Sequence, residues 1–216
     1  MRMVDSSDRS LLLIFGEEIS VATHQDVLRL SSLLRYTPGV TNVHPAYASV
    51  LIDFDPLAIG RLQLRQAAGE LHARAHAAPL DQPRTVEIPV IYGGEHGPDL
   101  EDVAAFTGLS PDDVVELHSN TDYLVYFLGF SPGFPYLGGL PESIAVPRLE
   151  TPRRKVPAGS VAIGGKQTGV YPVASPGGWR IIGSTPLQLF QPDADPPTLL
   201  RMGDLVRFVP IARGAL

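Results

Sequence analysis

Hydrophobic positions along the first ninety residues alternate between a period near two and a period near 3.6. Leu11 to Phe15 is a continuous apolar run, which the pattern reads as a buried strand. In "SVATHQDVLRLSSLLR", Val27, Leu30 and Leu34 recur at helical spacing, and Thr37-Pro38-Gly39 supplies a turn that ends the helix. "VTNVH" and "YASVLIDF" follow, with Pro45 between them; Val50, Ile52 and Phe54 alternate with Ser49, Leu51 and Asp53, as in a hairpin strand with one covered face. A second amphipathic helix is expected from about Arg61 to Ala78, with Leu64, Ala68, Leu71 and Ala75 on one face and Pro79 as its stop. "TVEIPVIY" then alternates again. The order strand, helix, strand, strand, helix, strand predicts the split βαβ arrangement of a ferredoxin-like α+β domain over residues 1–84.

The pattern changes after residue 90. Two short helices carry clear start signals: Asp99 before "LEDVAAF" with Gly108 as the stop, then Ser110-Pro111-Asp112-Asp113. "YLVYFLGF" reads as a strand. Residues 129–186 then hold eleven glycines and nine prolines, a composition that suggests disorder when it lacks apolar partners. Here Phe130, Phe134, Tyr136, Val156, Val161, Ile163, Val170, Tyr171, Trp179, Ile181 and Ile182 are interleaved with them, so short strands joined by tight turns and closing a small barrel are expected. "MGDLVRFVP" gives a Gly-Asp turn and a last alternating strand.

Composition narrows the chemistry. The 216 residues contain no cysteine, which removes disulfides, thiolate nucleophiles and zinc-thiolate sites and suits a reducing cytoplasm. The polar start and the lack of a long apolar run argue against a signal peptide or a membrane anchor. A formal net charge of -6 disfavours nonspecific binding to nucleic acid or anionic lipid.

Three motifs invite a catalytic reading. "GFSPG" matches the G-x-S-x-G nucleophile elbow, yet Pro132 lacks the N–H an oxyanion hole needs and Pro135 with Gly138-Gly139 prevents the helix that should follow. "GSVAIGGKQTG" resembles a phosphate loop but has Ser160 where the first glycine belongs and Gln167 where a magnesium-binding hydroxyl belongs. It leaves two readings, an anion-binding glycine turn beside Lys166 or a hairpin turn with an exposed lysine. His72 and His76 are spaced i, i+4, with neither a third ligand nor the glutamate of H-E-x-x-H. His118, just before the strand leading into the glycine-rich segment, is placed for proton transfer or ligand binding, or for capping its helix. Residues 129–186 also concentrate charge: Arg148, Arg153, Arg154, Lys155, Lys166 and Arg180 against Glu142 and Glu150 give net +4. That asymmetry points to a local anion site, since guanidinium groups suit carboxylates and phosphates.

The runs "GFSPGFPYLGGLP", "PRLETPRRKVPAGSVAIGGKQTGVYP", "SPGGWRIIGSTPLQLF" and "LLRMGDLVRF", with "GEEIS", "HPAYASVLIDFDP" and "IPVIYGG", resemble the family that includes the B subunit of 5-oxoprolinase, allophanate hydrolase subunit 1 and the sporulation kinase A inhibitor. The resemblance spans roughly residues 10–210. It implies a cyclophilin-like β-barrel for residues 85–216 and a role within an ATP-dependent complex, with magnesium, that opens 5-oxo-L-proline to L-glutamate. The partners would be a homologous cyclophilin-like subunit, the C type of 5-oxoprolinase, and a third subunit of the A type. By carry-over onto matching positions, Arg148, Arg153, Lys166, Gln167, Tyr171, Trp179 and His118 become candidate substrate- or anion-binding residues; no catalytic base and no metal ligand is assigned. Two other roles stay open: a binding module that inhibits a sensor histidine kinase, and a carboxyltransferase subunit of a biotin-dependent urea or allophanate system.

Overall fold

A computed structural model describes residues 1–75, 80 and 82–212. The chain divides into two compact units, Met1–Gln82 and Pro83–Leu216.

The first unit is a four-stranded antiparallel sheet with two helices. Its strands are β1 (Arg2–Asp5), β2 (Ser10–Ile14), β3 (Val40–Pro45) and β4 (Ser49–Phe54), in the order β1-β2-β4-β3. Helix α1 (Val21–Leu34) starts at Ser20, whose hydroxyl accepts the Thr23 N–H at 3.1 Å. Helix α2 (Arg61–Ala75) buries Leu64, Ala68 and Ala75, and α1 buries Val27, Leu30 and Leu34, so the helical period places one apolar stripe of each against the sheet residues Leu11, Leu13, Val50 and Ile52. The expected end of α2 at Ala78, the stop at Pro79 and the histidine pair through His76 lie outside the described residues. Thr85–Tyr92, expected to complete the split βαβ sheet, does not belong to it. The edge beside β2 is taken by Arg2–Asp5, which pairs antiparallel with β2 from Arg2↔Ile14 to Asp5↔Leu11. Four exposed or half-buried residues make an edge strand with no sequence signal, because an edge strand needs no buried face of its own.

The second unit is built around a closed barrel of seven strands. After β5 (Thr85–Tyr92) come α3 (Leu100–Thr107), α4 (Pro111–Ser119), β6 (Asp122–Leu128), β7 (Pro135–Gly138), β8 (Arg153–Val156), β9 (Ser160–Gly164), β10 (Gln167–Val170), β11 (Ser175–Gly177), β12 (Arg180–Ser184) and β13 (Leu205–Pro210). The barrel order is β10-β7-β6-β13-β5-β12-β9, while β8 and β11 form a separate two-stranded ribbon. Thr85–Tyr92 finds its partners here: it runs parallel to β13 from Thr85↔Leu205 to Val90↔Pro210 and antiparallel to β12. Asp204, in the Gly-Asp turn before β13, is buried and accepts from Arg84 Nη2 at 2.6 Å and from the Arg201 N–H at 2.9 Å, fixing that register. Both helices start as the sequence indicates. Ser110 and Asp113 form a capping box at α4, and Gly108 closes α3 with φ 73°.

Strand alternation sorts side chains to two faces of the barrel wall. Val161, Ile163, Val170 and Ile182 point into the main core with Val125, Leu137, Val206 and Phe208. Their neighbours Ala162 and Ile181 point the other way, into a second cluster with Phe134, Val156, Tyr171 and Trp179. Glycine and proline therefore shape turns around a double layer of apolar contacts, which is why so glycine-rich a segment is ordered.

Candidate functional site

The second cluster is organised by Phe134. Four rings stand steeply to it: Phe130 (centroids 5.5 Å apart, planes at 73°), Tyr136 (5.2 Å, 66°), Tyr171 (5.3 Å, 75°) and Trp179 (5.6 Å, 81°). Edge-to-face contacts of this kind hold aromatic side chains in fixed mutual orientation. With Arg148, Leu149, Pro152, Pro176, Gly177 and Gly178, these rings line a cavity of about 250 Å³. Two glycines make the geometry possible. A Cβ on Gly164 would lie 2.6 Å from the indole of Trp179, and one on Gly177 would lie 2.3 Å from the Tyr171 hydroxyl.

One cation belongs to this cavity. Arg148 is exposed, and its Cζ lies 5.8 Å from the Trp179 ring centroid, within cation–π range. Among the described residues it forms no ion pair. Its segment is pinned by the Leu149 N–H, which donates to the Gly178 carbonyl at 2.7 Å. Burial raises the pKa of Tyr171; the Trp179 backbone N–H and the charges of Arg148 and Arg153 pull it back down, so the phenol stays neutral with positive charge nearby. An aromatic pocket with an unpaired guanidinium at its edge can hold a small planar molecule through its faces and a carboxylate through the arginine fork. A larger and more open depression of about 520 Å³, lined by Ala158, Gln188, Phe190, Gln191 and Asp193 among others, carries a carboxylate and no cation, so it does not suit an anion.

The seven residues carried over from the resemblance separate into distinct places. Arg148, Tyr171 and Trp179 meet at the pocket. Arg153 does not line it: its Nη2 donates to Asp99 Oδ1 at 2.6 Å, while Asp99 Oδ2 accepts the Ile181 N–H at 2.6 Å. Asp99 is 4% exposed, so it ties the start of α3 to β12 and the β8 ribbon instead of capping the helix with its side chain. Lys166 sits in the two-residue turn between β9 and β10 and pairs with Glu142, both strongly exposed; its ammonium holds the Glu142 carboxyl below the usual range. The glycine-rich motif is thus a β-hairpin, and Lys166 and Arg153, both counted toward a local anion site in the sequence, are held in two separate ion pairs. Gln167 opens β10 opposite Gly164 and is not a lining residue of the pocket.

His118 lies inside the barrel. It is fully buried, stacked on Phe208 at 4.6 Å, with Nδ1 on the Tyr92 hydroxyl and Nε2 on the Thr168 hydroxyl, both at 2.8 Å. Burial lowers its pKa to about 3, so the imidazole is neutral within the barrel core, and it does not line the pocket. Ser131 is no elbow nucleophile either: strand β7 follows it where a helix would be needed, and its N–H closes a tight turn on the Gly129 carbonyl at 2.8 Å. No group of His, Asp and Glu side chains suited to a metal ion occurs among the described residues, and no helix among them is long and apolar enough to cross a membrane. Phe130, Phe134 and Tyr136 are pocket residues where the sequence indicated only apolar packing of a small barrel; their aromatic spacing around Pro132 and Pro135 was the available signal.

Comparison with known proteins adds three findings. A family model described as carboxyltransferase domain, subdomain C and D, matches residues 1–200. The chain is 43% identical to the B subunit of 5-oxoprolinase from Bacillus subtilis (strain 168), covering 95% of this chain and 90% of that protein, and 46% identical to the corresponding B subunit from Escherichia coli O157:H7, covering 96% and 94%. Among solved structures, TTHA0988 is similar with a TM-score of 0.84 and 38% identity over 96% of this chain; the chain spans 41% of that protein's length.

Proposed function

This chain belongs to the family of 5-oxoprolinase B subunits, and from that premise we propose that it works in the cytoplasm within a complex that hydrolyses the lactam of 5-oxo-L-proline to L-glutamate at the expense of ATP. The observation that carries the assignment of a site is the aromatic pocket with Arg148 over Trp179. The lactam amide is resonance-stabilised and resists water; phosphorylating its oxygen makes the ring carbon electrophilic, so that water adds, the C–N bond breaks as the nitrogen takes a proton, and the acyl phosphate left behind is hydrolysed to the carboxylate, while the enzyme holds the ring and its own carboxylate. In this reading Arg148 takes the carboxylate in its fork, and the rings of Tyr136, Tyr171 and Trp179 hold the lactam and keep water from its faces.

The described residues of this chain do not compose a nucleotide site. The glycine-rich turn is a hairpin, and its lysine is neutralised by Glu142. We therefore assign ATP and its magnesium to a site completed by other polypeptides of the complex: a homologous barrel subunit of the C type, and a third subunit of the A type for ring hydrolysis. The match to TTHA0988 supports a larger assembly, since it leaves more than half of that protein for other domains. The decisive test is co-expression with the candidate partner subunits, followed by measurement of ADP release with and without 5-oxo-L-proline. Lactam-dependent turnover that requires this chain supports the proposal; ADP release indifferent to the lactam overturns it. The carboxyltransferase description of the family model favours one second reading, carboxyl transfer from biotin on a separate carrier. Turnover abolished by avidin would select it.

A further inference from the structure

Ten described residues adopt positive φ, and nine of them are glycine; the tenth is Phe130, with φ 67°. An L-residue there crowds its Cβ against the backbone, and a bulky side chain in that region is a genuine outlier. The turn itself is fixed by its backbone. The Gly129 N–H donates to the Phe134 carbonyl at 3.0 Å, the Ser131 N–H to the Gly129 carbonyl at 2.8 Å, and the Phe134 N–H to the Ser131 carbonyl at 3.0 Å. Glycine at position 130 would make the same bonds without the crowding.

Burial does not compensate for the strain, because the Phe130 side chain is 64% exposed. Its ring meets Phe134 edge-on and stands on the rim of the pocket. The fold gains little from a phenyl ring at this position, whereas the cavity gains a wall. A strained residue that the surrounding structure over-determines, at the mouth of a pocket, is where a functional role is to be sought. Arg148 lies over the Trp179 ring, while the Phe130 side chain is largely exposed.

We infer that Phe130 is a specificity-determining residue: its ring closes the outer side of the pocket over the face of a small planar ring whose carboxylate is held by Arg148. This rests on the reading of the pocket as the lactam site. It requires that removal of the ring weaken substrate binding while relieving the backbone, a combination that a packing residue cannot give.

The test uses the complex reconstituted with both partner subunits. For Phe130→Gly, KM for 5-oxo-L-proline should rise about 5- to 10-fold, as expected for a lost aromatic stacking contact, with kcat falling less than KM rises. The melting temperature of the variant chain should be equal to or above that of the parent. Phe130→Tyr, which keeps the ring, should stay within about twofold in KM. An unchanged KM for Phe130→Gly, a lowered melting temperature, or a loss traced to partner subunits that no longer co-purify would each overturn the inference. Arg148→Ala separates the two levels: if it too leaves KM unchanged, the pocket reading itself fails, whereas a raised KM for Arg148→Ala with an unchanged KM for Phe130→Gly removes only the role of Phe130.

Discussion

Two groups of aromatic side chains occupy opposite faces of the same barrel wall, and their polar groups are treated in opposite ways. On the inner face, Tyr92, Tyr123 and Phe208 pack around His118, which bonds to Thr168. Both imidazole nitrogens are bonded, Tyr123 donates to the His118 carbonyl at 2.9 Å, and Thr168 also donates to the Ala162 carbonyl at 3.1 Å. On the outer face, one residue along β10, Gly169 backs the cluster of Phe134 and Trp179, where Arg148 lies over the indole with no carboxylate partner among the described residues and Phe130 holds a strained backbone in solvent. Residue type does not distinguish the clusters; satisfaction does. A buried polar network with every partner supplied stabilises a unique core. An exposed cation over a ring, with nothing to neutralise it, is available to a ligand.

The largest effect that sharpens this contrast is on stability in acid. In the unfolded chain His118 titrates near 6.5, while in the fold its pKa is held to about 3. Below pH 6.5 the unfolded form therefore binds a proton that the folded form refuses, so the stability is fully present above that pH and drains away as pH falls toward 3. The slope is about 1.4 kcal/mol per pH unit, or roughly 4 kcal/mol over the range. His24, which burial lowers to about 4, acts in the same direction. Urea unfolding between pH 4 and 7.5 should show this slope, and His118→Phe should flatten it by one proton. The same variant should cost about 1–2 kcal/mol at pH 7.5 by stranding the Tyr92 hydroxyl.

The outer cluster should respond in the opposite sense. Arg148→Ala is expected to raise KM for 5-oxo-L-proline by about tenfold or more, the worth of a charge-assisted contact to a carboxylate, and to change stability by less than about 0.5 kcal/mol as an exposed substitution. Arg148→Lys should recover part of the binding, since it keeps the charge and loses the fork. Steady-state kinetics and thermal melting on the same preparations check both. The smallest effect is expected for Lys166→Ala. An exposed pair such as Lys166 and Glu142 contributes about 0–1 kcal/mol, so stability and KM should both stay near those of the parent.

Much of the fold is legible in the sequence because it rests on local periodicity. The helices at Val21–Leu34, Leu100–Thr107 and Pro111–Ser119, and the strands at Ser49–Phe54, Asp122–Leu128 and Leu205–Pro210, follow from apolar spacing, caps and turns. Strand identity does not give strand pairing. The alternation in Thr85–Tyr92 marks it as a strand with a covered face, but only the parallel register with β13, more than a hundred residues later, decides which sheet receives it. The site was partly readable for the same reason. Arg148, Tyr171 and Trp179 stood out as cationic and aromatic residues in a glycine-rich frame, while the acids that neutralise Arg153 and Lys166 lie 54 and 24 positions away in sequence. His118 looked like a polar helix terminus because nothing in its neighbourhood announces that Thr168 and Phe208 will enclose it. The strained backbone of Phe130 carries no signal at all, since left-handed backbone is read from glycine and here the turn imposes it on phenylalanine.

Trp179 is the chain's single tryptophan, which makes the outer cluster directly observable. This chain, grown with 5-fluorotryptophan and reconstituted with unlabelled partners, should give one ¹⁹F resonance. Titration with 5-oxo-L-proline should move that resonance saturably, with a midpoint that Arg148→Ala shifts to higher concentration. A resonance that stays fixed while the same complex turns over the lactam would place the substrate elsewhere and contradict the assignment of the aromatic pocket.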